Sequence, residues 1–393
     1  MIHRAFLLFV ALVLLPDVSI YLRYLVRSSR WVKGLWCAQA LVMLACICWL
    51  ASVPDFSPRP QQLLNIFLFV TGVYLVPKFL FVFCAAVGRL LRKPFPTKHN
   101  WGAVVGLLLA AAAVFVTVYG STVGFNKLEV RRVDYSSPRL PESFEGYRIA
   151  LFSDAHVGSY TGESRHVLAD AVDSILSLKP DVIFFLGDIQ NTWADEVEEH
   201  LPTLSRLKAP DGVFSVMGNH DYSKYISGTL EEKLAAEEKT KNYQRGMGWR
   251  LLLNENTILR HGGDSIVLAG MEGNEEIGVD RGVANHPNTV RGMPEGVFTI
   301  MLAHNPNLWR HYVVPYIDAP LTLSGHTHGG QIRLFGVSTT TFTFHEDRGM
   351  YEMDGKSLYV TAGLGALIPL RFNVPGEVVL LTLHHQPQSN EQP

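Results

Sequence analysis

The chain has 393 residues, the length of two or three ordinary domains. Its net charge of −2 hides a sharp division: residues 1–125 hold 11 Lys and Arg against 2 Asp and Glu, a net of +9, and residues 126–393 hold 23 against 34, a net of −11. An apolar, basic first part followed by an acidic part with 13 of the 15 histidines excludes a uniformly soluble enzyme, a disordered chain, and a nucleic-acid binder driven by a general basic field.

About 20 apolar residues cross the hydrocarbon core as a helix. Four runs reach that length: 5–26, 32–53, 63–88 and 101–125. The first is interrupted by Pro16, Asp17 and Arg23. The third contains Pro77 and Lys78, which predicts a kinked helix whose lysine turns into a bundle, because an ammonium facing lipid is costly. Residues 1–20 lack a small-x-small cleavage site after Leu15, so they read as an uncleaved anchor and not as a signal peptide. Cys37, Cys46, Cys48 and Cys84 all lie within the runs and read as apolar residues of buried helices.

Two loops are basic, one with Arg23, Arg27, Arg30 and Lys33, the other with Arg89, Arg92, Lys93 and Lys98. The loop near Ser57 has only Arg59. Positive loops stay inside, so both basic loops read as cytoplasmic and the acidic part as extracytoplasmic, held at a cell (inner) membrane. Gly102-x-x-x-Gly106 and Gly120-x-x-x-Gly124 allow close packing of the last span. The expected organisation is a transmembrane anchor over 1–125, a globular domain over 126–386, and a disordered tail over 387–393.

In the acidic part, Tyr147–Phe152 is a short apolar run ending in Ser153-Asp154-Ala155-His156. Residues 164–178 have helical periodicity. Asp181–Leu186 is a second apolar run, ending in Gly187-Asp188, and a polar helix is expected near 194–207. Gly212–Met217 leads to Gly218-Asn219-His220-Asp221. This alternation predicts a βαβαβ unit with a parallel sheet, whose strand ends carry the polar residues. Glu231–Glu238 reads as a solvated helix face. Phe298–Leu302 leads to Ala303-His304-Asn305-Pro306, and Leu321–Leu323 to Ser324-Gly325-His326-Thr327-His328-Gly329-Gly330-Gln331.

Five strand ends thus direct Asp154, His156, Asp188, Asn219, His304, His326 and His328 toward one region. Carboxylate, imidazole and amide without thiolate suit hard-to-borderline divalent cations. One ion takes three or four protein ligands, so seven candidates indicate two ions sharing a carboxylate, an arrangement used for phosphoryl hydrolysis.

The ordered set D-x-H, G-D, G-N-H-D, H and G-H-x-H resembles the calcineurin-like metallophosphoesterase superfamily. The resemblance covers roughly residues 128–383. AHNP, SGHTHGGQ and the run from Gly363-Leu364-Gly365 to Ile368-Pro369-Leu370-Arg371-Phe372 are similar to its membrane-tethered bacterial phosphodiesterase branch. The resemblance implies a four-layer α/β/β/α sandwich behind a bundle of about four transmembrane helices. It implies two divalent ions, Mn, Fe or Zn, the first held by Asp154, His156, Asp188 and His328, the second by Asp188, Asn219, His304 and His326. A hydroxide shared by the ions would attack phosphorus, with His220 as general acid and Asp221 orienting His220. Gly329, Gly330 and Arg371 are candidate substrate contacts, with Arg348 as a further phosphate contact. The expected partners are a phosphate ester, lipid-linked or membrane-proximal, and membrane lipids; no nucleic-acid partner is expected. Two rivals stand beside this reading: a UDP-2,3-diacylglucosamine pyrophosphohydrolase of lipid A biosynthesis, and a non-catalytic metal-stabilised membrane binding protein. The presence of His220, for which a binding module has no need, weighs against the second.

Overall fold

The computed structural model describes residues 2–53, 58–95, 97–272 and 286–386; the expected disordered tail over 387–393 lies outside them. The chain divides into two compact units, Met1–Thr122 and Val123–Pro393.

The described residues of the first unit build helices: α1 (Ile2–Ile20), α2 (Arg30–Ser52), α3 (Pro58–Val70), α4 (Val76–Leu91) and α5 (Trp101–Tyr119). A π-turn, Thr71–Leu75, fuses α3 and α4 into one rod, and another, Tyr21–Leu25, extends α1. Four stretches are long and apolar enough to cross a membrane: Phe6–Leu25, Arg30–Ser52, Gln62–Leu91 and Trp101–Gly124. The π-turn directly precedes Pro77, where the missing N–H and the ring crowd a regular helix. Lys78 turns inward. Its Nζ lies 2.6 Å from Asp17 Oδ1 and 3.4 Å from Gln39 Oε1, and it sits over the Tyr74 ring at 3.9 Å. Gln39 donates to the other Asp17 oxygen at 2.9 Å, and the Trp36 indole donates to the Asp17 carbonyl at 3.1 Å. Glycine permits the tightest helix contact: a Cβ on Gly102 would stand 2.7 Å from the Gly88 Cα, so only hydrogen fits where α4 meets α5.

The second unit has fourteen strands among its described residues: β1 (Leu128–Ser137), β2 (Arg148–Phe152), β3 (Val182–Phe185), β4 (Val213–Ser215), β5 (Arg250–Leu251), β6 (Glu255–His261), β7 (Asp264–Met271), β8 (Thr299–Ala303), β9 (Leu321–Ser324), β10 (Arg333–Leu334), β11 (Val337–Ser338), β12 (Gly349–Met353), β13 (Lys356–Val360) and β14 (Gly376–His385). They form two six-stranded sheets, ordered β1-β14-β2-β3-β4-β5 and β12-β13-β9-β8-β7-β6, and the hairpin β10-β11. Within the sheets only β14–β2, β6–β7 and β12–β13 pair antiparallel.

Alternation along the strands builds the layers. Ile149 and Leu151 of β2 and Phe184 of β3 meet Leu268, Ile300, Leu302 and Leu323 of the facing sheet in one fully buried core. The intervening Ala150, Phe152, Ile183 and Phe185 face outward and are covered by Val167, Leu168, Ala171 and Val172 of α6 (Arg165–Ser177). Ala269 and Met301, on the outer face of the second sheet, are covered by Trp309 and Val313. The result is the four-layer α/β/β/α arrangement. The predicted βαβαβ unit is β2-α6-β3 and then β4, all parallel. The helix expected near 194–207 is a 3-10 segment, Ala194–His200, followed by α7 (Leu201–Leu204), which Pro202 opens. Glu231–Glu238 lies on α8 (Leu230–Gly246), started by a capping box between Thr229 and Glu232.

Candidate metal centre

Every predicted ligand follows the carboxyl end of a strand: Asp154 and His156 after β2, Asp188 after β3, Asn219 after β4, His304 after β8, and His326 and His328 after β9. The two sheets bring these ends together. His304 Nε2 lies 3.1 Å and His156 Nε2 3.7 Å from Asp188 Oδ2. His328 Nε2 is 3.6 Å from Asp154 Oδ1, and His326 Nδ1 is 3.2 Å from His304 Nε2. Three sets of ligand atoms fall within 4.8 Å of one another: Asp154, His156 and His328; His156, Asp188 and His220; and Asp188, His304 and His326.

The backbone is strained to make this possible. Asp154, His156, Asp188, His326 and His328 all have left-handed φ, between 42° and 74°. Each such non-glycine residue costs on the order of 1–3 kcal/mol, and strain of this kind concentrates where function needs it. Gly363, at φ 69°, lets the chain pass behind the site: a Cβ there would lie 2.7 Å from the Asp154 Cβ.

The buried polar atoms are not all satisfied. Both ring nitrogens of His156 and Oδ1 of Asn219 are buried without a hydrogen-bond partner. Tyr225 fixes the Asn219 amide by accepting from its Nδ2 at 3.0 Å, which leaves Oδ1 as the unpaired atom of the group. Leaving such atoms unpaired in a protein interior costs about 1–3 kcal/mol each. A site that keeps several of them, in a carboxylate–imidazole–amide set, fits divalent cations.

The charges are strongly coupled. Burial works against the Asp188 carboxylate, but the imidazoles of His304, His220 and His156 outweigh it and hold the group well below the usual carboxylate range. Burial likewise opposes charge on His304, yet Asp188 raises it to about 10. Burial lowers His328 to about 4 and, with the neighbouring His220, drives His156 well below its ordinary value. Neutral imidazoles are the form that binds metal, so His156 and His328 stand ready for it and His304 would release a proton on binding.

His220 stands beside the ligands, its ring centroid 4.9 Å from that of His156. Its backbone N–H donates to Asp188 Oδ1 at 2.8 Å, and its ring Nδ1 meets the carbonyl of Asn191. An acceptor at Nδ1 places a proton there and leaves Nε2 for the site.

Asp221 does not orient His220 through its ring. Its fully buried carboxylate accepts from the backbone N–H groups of Asp188 and Gly218, both at 2.9 Å, and of Ile189 at 2.8 Å. It braces the loop that carries Asp188, and the Asn191 carbonyl takes the place expected of it. Burial and the Asp188 charge push its carboxyl up to about 7. Arg371 is not placed to touch substrate. It is fully buried and donates to the carbonyls of Ala362, Gly363, Gly365, Val374 and Pro375. Arg348 pairs with the buried Glu377 at 2.6 Å. Gly329 and Gly330 are buried at φ 55° and 75°, packed on Val374 and Ser338, so loop shape accounts for them. Asn191 and Tyr225 carry no sequence signal: one acts through its backbone, the other lies six residues beyond Asn219 in an irregular loop.

Comparison with known proteins identifies the family. The family model Calcineurin-like phosphoesterase matches residues 147–330, and the model Probable Calcineurin-like phosphoesterase, transmembrane domain, matches residues 3–125. An uncharacterized metallophosphoesterase of Bacillus subtilis is 30% identical over 307 residues, covering 75% of this chain and 98% of its own. A UDP-2,3-diacylglucosamine pyrophosphatase of Chlamydia trachomatis is 27% identical over 330 residues, covering 71% and 96%. Among solved structures, the phosphopantetheinyl hydrolase of Mycobacterium tuberculosis aligns with 58% of this chain and 92% of its own at 14% identity and TM-score 0.36. The chain belongs to the calcineurin-like metallophosphoesterase family. It is a hydrolase acting on phosphoester bonds, with a four-helix transmembrane domain ahead of the phosphoesterase domain.

Proposed function

We propose that this protein is a phosphodiesterase-type hydrolase, dependent on two divalent cations and working at the outer face of a membrane on a membrane-proximal or lipid-linked phosphate ester. The observation that carries the reading is the clustering of Asp154, His156, Asp188, His304, His326 and His328 in sets of ligand atoms within 4.8 Å of one another, with the His156 nitrogens and Asn219 Oδ1 unpartnered. Asp154, His156, Asp188 and His328 would hold one cation, and Asp188, Asn219, His304 and His326 the other, whether Mn, Fe or Zn. Such ions supply Lewis-acid polarisation of the phosphoryl group and a nucleophile from water. Asp188, common to both sets, would position the pair. His220, its Nδ1 proton fixed on the Asn191 carbonyl, offers a second proton from Nε2 to the leaving oxygen.

Hydrolysis of bis(p-nitrophenyl) phosphate by the purified full-length protein tests this. His220→Ala should keep its metal by elemental analysis and lose about 10²–10⁴-fold in kcat. Unchanged turnover would remove His220 from the chemistry. Orientation is tested by protease accessibility in spheroplasts: protection of residues 126–393 would contradict the outer-face assignment, which rests on the basic loops. The Chlamydia relative favours a second reading, cleavage of UDP-2,3-diacylglucosamine. That step uses a cytoplasmic substrate, so protection would favour it.

A further inference from the structure

The loop carrying His326 and His328 runs directly into the hairpin β10-β11 and the turn that follows it. From Ile332 to Phe344 this segment holds a single charged residue, Arg333, which is paired with Asp347 at 2.6 Å. Its apolar side chains are not buried. Phe335 is fully exposed at 105% and Phe342 is 83% exposed, with Leu334, Val337 and the neighbouring Ile368 each more than a third exposed.

The hairpin tip sharpens the point. Leu334 pairs with Val337, which leaves Phe335-Gly336 as a two-residue turn with φ of 52° and 83°. Both positive angles define the turn type that favours Asn-Gly. A phenylalanine there accepts left-handed strain, and its exposed ring recovers none of the cost by burial. Folding does not explain the residue.

The segment is tied rigidly to the ligand loop. Thr339 donates to the Gly330 carbonyl at 2.9 Å, and the Arg333 N–H to the Phe372 carbonyl at 3.0 Å. Asp347 joins both sides, accepting from Ser338 at 3.0 Å through its carboxylate and from Thr327, between the two histidines, at 2.5 Å through its carbonyl. Phe344 lies edge-on to the His326 ring at 5.4 Å, two residues from Phe342. A half-buried aromatic ring thus lies against a candidate ligand, on the same short segment as the exposed Phe342.

We propose that this hairpin and turn hold the apolar tail of an amphiphilic phosphodiester whose phosphate occupies the metal centre, with Phe335 and Phe342 as its specificity-determining residues. The inference rests on the phosphoesterase reading of that centre and names its substrate class. The occupant follows from two observations: the patch lies on the segment that leaves the ligand loop and is bonded back to it, and the described residues include four membrane-length helices that keep the chain among lipids. Each methylene of a tail that the rings take out of water adds to binding, so preference rises with tail length.

The test is the full-length protein in detergent with Mn²⁺, assayed on methyl and hexadecyl p-nitrophenyl phosphate. The wild type should prefer the hexadecyl ester. In the double variant Phe335→Asn, Phe342→Ser, the ratio of kcat/KM, hexadecyl over methyl, should fall about tenfold, chiefly through KM, a change of about 1.4 kcal/mol. Asn suits the left-handed position, so the turn survives and the melting temperature is held. An unchanged ratio, an equal loss on both esters, or no preference in the wild type would overturn the tail site and leave the metal centre standing. Hydrolysis of neither ester would instead overturn the phosphoesterase reading and this inference with it.

Discussion

Two buried polar clusters, one in each unit, differ in how they are satisfied. In the helical unit, Asp17 and Lys78 are satisfied: each finds the other, and Gln39 and the Trp36 indole take up remaining valences. In the α/β unit, His156 and Asn219 are just as buried and keep atoms with no partner, on a backbone strained at five ligand positions. A satisfied buried pair fixes packing. Orphaned atoms among clustered carboxylates and imidazoles fit a site that a cation completes.

Four substitutions would break or sharpen that contrast. The largest effect belongs to Asp188→Asn, which removes the shared carboxylate. Activity and metal content should both fall by more than the roughly 10–100-fold typical of an outer partner. Loss of activity with full metal occupancy would contradict its shared position. Next is Asp17→Ala, which strands the Lys78 ammonium among apolar helices and should destabilise the helical unit by about 3–5 kcal/mol, read as thermal stability in detergent. Adding Lys78→Met should restore most of it; no recovery would mean the pair is not what fixes the packing. Tyr225→Phe frees the Asn219 amide to turn and should weaken metal affinity roughly 10–100-fold in a competition titration. Unchanged affinity would show that Asn219 needs no such hold.

The smallest effect is a pH slope. Glu196 accepts from the backbone N–H groups of Asn191, Thr192 and Trp193, yet burial outweighs these bonds and raises its carboxyl to about 7, against 4.5 as its ordinary value. Below pH 4.5 both folded and unfolded chains are protonated. Between 4.5 and about 7 only the folded chain keeps the proton, so this residue's contribution to stability declines as pH rises through that window. Glu196→Gln should flatten the decline in a series of melting curves. A slope equal to that of the wild type would assign the dependence to other groups.

Much of this was legible in the sequence for reasons of local physics. Apolar length marks the four membrane helices, and short apolar runs ending in Asp, Asn and His mark β2, β3, β4, β8 and β9. Lys78 turns inward as its cost in lipid predicts. The pairing of β1 with β14 was not legible, because it joins two ends of the unit separated by about 240 residues, and periodicity carries no partner information. Nor were the roles of Asp221 and Arg371. An aspartate beside a histidine reads as its partner, whereas here it accepts three backbone N–H groups of neighbouring loops. An arginine near a phosphate site reads as a phosphate contact, whereas the carbonyls of residues 362–375 use its guanidinium. Both errors have one source: loop carbonyls and N–H groups compete for charged side chains, and only the folded path shows which are within reach.

The central claim is that the orphaned atoms are held for metal, and elemental analysis of the purified full-length protein tests it most directly. It should contain roughly two divalent ions per chain, the number that a shared carboxylate and seven ligands accommodate. His156→Ala, with helicity and melting retained, should lower that content. A metal-free protein that takes up no Mn, Fe or Zn on titration, with these side chains intact, would contradict the account.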